Sequence, residues 1–412
     1  MNPWLICILF LIFSQYFLEL CVSLLNIKAL VPTPPQEFAD AVSPEDYARS
    51  QQYLRANTFV SLIDNTAVTV ITTLFLLAGG FNAVDVWARS LGFGTIPTGL
   101  IYIGALLLLS LLLNLPSSLY TTFVVENRFG FNRMSLRIFI GDLLKSLLLA
   151  IVIGGPILAL ILWFFEHSGP MAWLYCWIGV IAVVIVLQYL APVIIMPLFN
   201  TFTPIADGPL KEAILAYTSQ QNFTIQGIFT MDGSKRSTKL NAFFTGFGRF
   251  RKIVFYDTLT EKLSEQEIVA VLAHEMGHCK LHHIAKMLFA TVLHTGLLFF
   301  LLSMTLNNNG LFQAFGMENI SIYASLIFFG YLFSPVNLLL TLVLNIFSRR
   351  HEFQADRFAS KTTGSAENLI SGLKKLSCTN LSNLTPHPLY VVLHSSHPPL
   401  LERLKALSKN RF

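Results

Sequence analysis

The 412-residue chain is 54% hydrophobic and only 12% charged, with a mean hydropathy of +0.60. A soluble domain carries about 25% charged residues, so this composition excludes an ordinary soluble enzyme and places the chain in a lipid bilayer. A net charge of +5 leaves no nucleic-acid footprint, and five scattered cysteines without a C-x-x-C pair exclude a disulfide framework and a thiolate metal site.

The N-terminal apolar run, Trp4 to about Leu25, has no basic n-region and no A-x-A site, and it is long enough to span. It reads as a retained first transmembrane helix, with Gln15 and Glu19 turning one face toward protein or water. Six further runs follow at about 61–84, 98–125, 138–165, 171–199, 284–306 and 321–348, giving seven spans. Pro116, Pro156, Pro192, Pro197 and Pro335 inside them predict kinks. Asp142 and Lys145, three apart on the fourth run, are placed to pair on one face.

Basic residues set the orientation. Lys28, Arg49 and Arg55 lie in the first loop, and Arg128, Arg133 and Arg137 in the third, while 166–170 and 307–320 carry none. The N-terminus is therefore expected outside, with the C-terminus and the 200–283 segment in the cytoplasm.

Segment 200–283 is the one large polar insertion between spans. Ile225–Thr230, Asn241–Phe247 and Lys252–Tyr256 are short β-branched or aromatic runs between glycine-containing turns and predict a small sheet. Ser264 through Glu267 has the S-x-x-E form of a capping box, so a helix is expected to start at about Glu265. In its last turns that helix carries His274-Glu275-Met276-Gly277-His278. Histidines four apart share a helix face and can present two imidazole nitrogens to one ion. Glu275 beside them is suited to accept a proton from the ion's water, the H-E-x-x-H logic of zinc proteases.

A catalytic zinc needs a third protein ligand. Glu352 is the best candidate: the 321–348 run is about 42 Å of helix, longer than an apolar core of about 30 Å, and its continuation delivers Glu352 to the cytoplasmic face. Asp356, a turn further on, is placed to accept a hydrogen bond from the second nitrogen of a ligating His. His282 and His283 are rival third ligands by proximity, although a tetrahedral site usually draws its third ligand from another element; they read better as interfacial residues opening the sixth span. His397 and Arg403 carry chemistry suited to an oxyanion, but spacing alone reads their loop as polar surface.

Several segments together resemble the type I CAAX prenyl endopeptidases, over nearly the whole chain. They are Phe123-Val124-Val125-Glu126-Asn127-Arg128-Phe129-Gly130-Phe131-Asn132, Pro197-Leu198-Phe199-Asn200 with Phe202-Thr203-Pro204, Gly233-Ser234-Lys235-Arg236-Ser237 with Asn241-Ala242, Glu352-Phe353-Gln354-Ala355-Asp356, and Ser396-His397-Pro398-Pro399-Leu400-Leu401-Glu402-Arg403. The resemblance implies one zinc ion held by His274, His278 and Glu352, with Glu275 as general base. It also implies Asn241 and His397 beside the scissile bond, Arg403 next to Glu352, and Asp356 one hydrogen bond behind the ligands. It further implies an extended polypeptide bound along the Asn241–Phe247 strand, prenylated C-termini among the substrates, and seven helices around a water-filled chamber.

The expected fold is thus an all-α polytopic membrane protein with a small β-sheet in a cytoplasmic zincin-like region. Residues 1–199 hold spans one to five, 200–283 the catalytic segment, 284–348 spans six and seven, and 349–412 the segment completing the zinc site. A short 307–320 loop and a C-terminal Ser408-Lys409-Asn410-Arg411-Phe412 without a dilysine signal favour a bacterial inner membrane over the endoplasmic reticulum, with misfolded or stalled membrane proteins as further substrates. The rival from another class is a transporter or channel with a structural or regulatory zinc, in which Glu275 has no role.

Overall fold

The computed structural model describes residues 2–245 and 251–409. Phe247 and Asn410 through Phe412, which entered the expectations above, lie outside the described residues. Among the described residues, seven helices are long and apolar enough to cross a membrane: Pro3–Lys28, Pro44–Leu77, Thr95–Arg128, Leu136–His167, Gly169–Phe199, His283–Thr305 and Ile322–Thr363.

The second differs most from expectation. Ser43 caps it by accepting from the Asp46 amide at 3.0 Å, so it begins well before residue 61. It ends at Leu77, because Gly79 turns left-handed at φ 73° and starts a separate short helix, Gly80–Ser90. Proline leaves its mark as widened turns: π-helical segments lie at Ala150–Gly154, just before Pro156, and at Ala191–Ile195, around Pro192. Pro335 sits inside a helix that stays continuous.

Each span packs against the next, and the seventh packs back on the first, so the seven close into a ring. One end of the ring is plugged by an apolar core in which Tyr102, Leu162, Phe315, Tyr323 and Phe328 are fully or almost fully buried. Gly99 allows the third, fourth and seventh spans to meet there, because a Cβ at that position would lie 2.8 Å from Leu162 and 2.9 Å from Tyr323. Between the ends, Gln15, Asn65, Asn114, Gln188 and Asn337 are exposed on five different spans. Amides at membrane depth need water or polar company, and Gln15 and Asn337 share a cavity of about 330 Å³ with Glu19 and His394.

Asp142 and Lys145 do not pair. Arg236 reaches Asp142 first, with its Nε and Nη2 donating at 2.8 and 3.0 Å, and it also donates to Asn200 Oδ1 at 2.8 Å and to the Phe199 carbonyl at 2.7 Å. Lys145 turns to the Leu198 carbonyl at 2.7 Å. The planar guanidinium satisfies four acceptors at once and bolts the 200–283 segment to spans four and five.

The described residues of that segment form a four-stranded sheet in the order β1-β2-β4-β3, with β1 Phe202–Pro204, β2 Gly227–Met231, β3 Ala242–Thr245 and β4 Lys252–Tyr256. β4 matches the predicted run, β2 is shifted by two residues at its start, and β3 is shorter than expected within the described residues. β1 and the helix Pro209–Gln220 were not anticipated. The β2–β4 pair is parallel and the two outer pairs are antiparallel, leaving β1 and β3 as edges. Ile228, Ile253 and Phe255 of the sheet pack with Ile268, Leu272 and Met276 of the H-E-x-x-H helix in one core.

Candidate active site

The H-E-x-x-H helix runs Glu265–Lys280 and starts where its capping box predicts. Ser264 Oγ accepts from the Glu267 amide, and Glu267 Oε2 accepts from the Ser264 amide at 2.8 Å, so two orphan donors are satisfied. Buried Glu267 also accepts from Ser371 Oγ at 2.6 Å and from Lys375 Nζ at 2.8 Å, which ties the helix to Glu367–Thr379.

The seventh helix continues without a break to Thr363, carrying Glu352 and Asp356 beyond the apolar span. The two helices cross at Gly277, where a Cβ would stand only 3.0 Å from the Ala355 Cα. The glycine of the motif is therefore what lets the histidines approach Glu352. His274 Nε2 and His278 Nε2 lie 3.3 Å apart, His274 Nε2 is 3.4 Å from Glu352 Oε2, and His278 Nε2 is 3.2 Å from Glu352 Oε1.

Those spacings are those of a metal site. Ligand atoms on a tetrahedral ion with bonds of about 2.0–2.1 Å stand about 3.3–3.4 Å apart. Glu352 is 3% exposed, and its Oε2 is buried with no hydrogen-bond partner. A buried carboxylate whose two oxygens each face an imidazole nitrogen is well placed to share an ion with them. His274, His278 and Glu352 are the group of described residues that fits one ion.

The surrounding charges orient this set. His274 Nδ1 faces Asp356 Oδ1 at 2.8 Å, the bond expected to fix its tautomer. Arg403, only 7% exposed, donates to both Asp356 oxygens at 2.8 and 2.6 Å and places Nη1 3.3 Å from Glu352 Oε2. Burial disfavours a charged imidazole at His274, but the Asp356 and Glu352 carboxylates beside it outweigh that and raise its pKa to about 9. A cation held at Nε2 would compete with a proton there.

His397 comes to the open side, with Nε2 3.4 Å from Glu352 Oε1, its side chain 65% exposed, and Nδ1 2.9 Å from Ser396 Oγ. Glu275, His278, Glu352 and His397 line a cleft of about 450 Å³ whose far walls are Phe243 and Phe244 of β3 and Ile284, Met287 and Leu288 of the sixth helix. Asn241 stands at the head of β3, its Oδ1 accepting from the Ala242 amide at 2.8 Å, and it does not line that cleft. His282 is exposed and left-handed, well placed to break the helix and not to bind an ion; His283 instead lies against His278, a contact that residue spacing on a continuous helix does not foretell.

A ring of membrane helices holding a His-His-Glu triad, with His274 and Glu352 buried and His278 open to a cleft, defines a membrane-embedded metalloprotease. Comparison with known proteins agrees. A model described as the CAAX prenyl protease N-terminal region, with five membrane helices, matches residues 23–201, and peptidase family M48 matches residues 204–411. The CAAX prenyl protease 1 homolog of Oryza sativa subsp. japonica is 36% identical over 98% of this chain and 97% of that protein. CAAX prenyl protease 1 of Saccharomyces cerevisiae is 34% identical over 98% and 95%. A crystal structure of S. mikatae Ste24p is similar with a TM-score of 0.94 at 34% identity, covering 99% of each chain. The chain belongs to peptidase family M48 and is a multi-pass membrane metalloendopeptidase, which sets the transporter reading aside.

Proposed function

We propose that one zinc ion, held by His274, His278 and Glu352, serves the hydrolysis of peptide bonds in polypeptides presented at the cytoplasmic face, prenylated CAAX C-termini among them. The observation that carries this reading is that His274 Nε2 and His278 Nε2, 3.3 Å apart, each lie 3.2–3.4 Å from one oxygen of the buried Glu352 carboxylate. Its two-His-one-Glu composition is that of catalytic zinc peptidases. Zinc bound there supplies Lewis acidity toward a carbonyl and toward water.

The rest is the work of the protein's own groups. Glu275, in the cleft beside His278, takes a proton from the attacking water and passes it to the leaving amine. His397, on the open side, donates to the oxyanion as it develops, and Arg403 and Asp356 hold Glu352 and His274 in place. The substrate lies extended along the free edge of β3, where main-chain bonds give affinity without a strict sequence requirement, and Asn241 at the head of that strand steadies its backbone.

The basic loops support an N-terminus outside and a cytoplasmic catalytic side. The short 307–320 connection favours the bacterial inner membrane, with the endoplasmic reticulum as the alternative; the relatives named above are plant and yeast proteins. The test uses detergent-purified protein, elemental zinc analysis and an internally quenched peptide. Glu275→Gln is expected to keep zinc and lose cleavage; undiminished cleavage would refute the mechanism. Faster cleavage of a farnesylated CAAX peptide than of its unprenylated twin is expected for a prenyl-substrate enzyme, and equal rates would point to turnover of membrane proteins.

A further inference from the structure

The two proposed histidine ligands are not supported alike. Asp356 stands behind His274, but among the described residues no carboxylate stands behind His278; its Nδ1 meets His283 Nδ1 at 3.2 Å. The other nitrogen of His283, Nε2, lies 2.8 Å from Gln354 Oε1. His283 is 2% exposed, and its ring is stacked flat on His351, with centroids 4.0 Å apart and planes at 12°.

We propose that His283 is the positioning residue for His278: a neutral imidazole, set by Gln354, that accepts the His278 Nδ1–H and leaves the His278 Nε2 lone pair aimed at the metal. The proton count leaves one arrangement. His278 Nε2 is the atom 3.3 Å from His274 Nε2 and 3.2 Å from Glu352 Oε1, so it is the ligand nitrogen and carries no proton. A neutral His278 then holds its proton on Nδ1. The facing His283 Nδ1 must accept it, which puts the His283 proton on Nε2, opposite the Gln354 oxygen.

Local backbone conformation produces the contact. On a continuous helix His283 would sit about 500° beyond His278, facing away from it. His282 adopts φ 57° between the two helices, and this break folds His283 back onto His278. On the seventh helix, Glu352 and Asp356 share a face, whereas Gln354 is about 200° round and cannot reach His278 itself. His283 bridges that gap. The segment that bears Glu352 therefore orients both histidines, His274 through a carboxylate and His278 through a neutral relay. The neutral relay adds no negative charge to a site that already holds Glu275, Glu352 and Asp356, so less of the ion's positive charge is offset.

This inference rests on His278 being a ligand, and the experiment separates the two. Full-length, detergent-purified, metal-stripped protein is titrated with Zn2+ against a chromophoric chelator. His283→Ala is expected to weaken zinc binding about 10- to 100-fold. His283→Asn, whose Oδ1 stands near the lost acceptor, is expected to recover most of that loss, which a purely packing role would not allow. Gln354→Leu leaves His283 on His351 and is expected to weaken zinc several-fold, so the relay stays testable if His283→Ala does not fold. Wild-type affinity in His283→Ala or Gln354→Leu, or an Asn variant as weak as Ala, overturns the relay. Wild-type affinity in His278→Ala overturns the ligand set and the relay together; loss there with none at His283 or Gln354 overturns the relay alone.

Discussion

Gly277 is the tightest point at which sequence controls the proposed metal site. An added Cβ would stand 3.0 Å from the Ala355 Cα and 3.3 Å from both the Ala355 Cβ and its carbonyl oxygen. Carbon atoms pack at about 3.5–4.0 Å, so Gly277→Ala must drive the two helices about 0.5 Å apart. Alanine's better helix propensity, about 1 kcal/mol, offsets part of an overpacking cost of about 1–3 kcal/mol, so global stability changes little. The donor triangle does not share that tolerance. A 0.5 Å opening between His278 and Glu352 exceeds the roughly 0.2 Å within which metal–ligand distances are held. Zinc affinity is therefore expected to fall at least about tenfold and peptide cleavage up to about 100-fold, with the melting temperature nearly unchanged. Chelator competition, the quenched-peptide assay and thermal melting in detergent measure the three. Adding Ala355→Gly should restore part of the affinity by removing the opposing methyl. Wild-type zinc affinity in Gly277→Ala would show that the crossing has slack and that close approach is not what sets the site.

Glu267→Gln is expected to cost about 2 kcal/mol at neutral pH, because Lys375 and Ser371 lose a carboxylate partner. Burial pushes the Glu267 carboxyl up, but Lys375, Ser371 and the Ser264 amide together hold it below its ordinary 4.5. Its stabilisation is thus present above about pH 4.5 and lost as pH falls through the lower folded value; the Gln variant should lack that acid-side loss in melts across pH 3–7, and parallel profiles would count against it. At His282, φ 57° is costly for a side chain, so His282→Gly should keep zinc and gain about 1 kcal/mol, whereas His282→Val should weaken zinc by drawing His283 away. Equal zinc affinity in both would argue against that break. Arg236→Lys should melt as low as Arg236→Met, about 2 kcal/mol below wild type, since the three N–H donors of an ammonium cannot serve both Asp142 oxygens, Asn200 and the Phe199 carbonyl together; full rescue by Lys would contradict the hub.

What was legible in the sequence and what was not divide along the range of the interactions. The spans, the capping box at Ser264 and the placement of Glu352 past a long apolar run depend on composition and helix period, which are local, and the structure shows each of them. The Asp142–Lys145 pairing failed for the opposite reason. Spacing on one helix says which groups can meet, but Arg236, distant in sequence, offers Asp142 a bidentate partner that Lys145 cannot match. β1 is three residues long with a proline at its end, and it exists because β2 supplies a partner, so no periodicity announced it. His283 was hidden by a single left-handed residue, because helical spacing counts on an unbroken helix and His282 breaks it. The donor triangle was the easier inference, since H-E-x-x-H states two corners outright and helix length nearly states the third. What positions those corners is recorded only where the chain folds back: Gly277 against Ala355, Asp356 behind His274, and His283 behind His278.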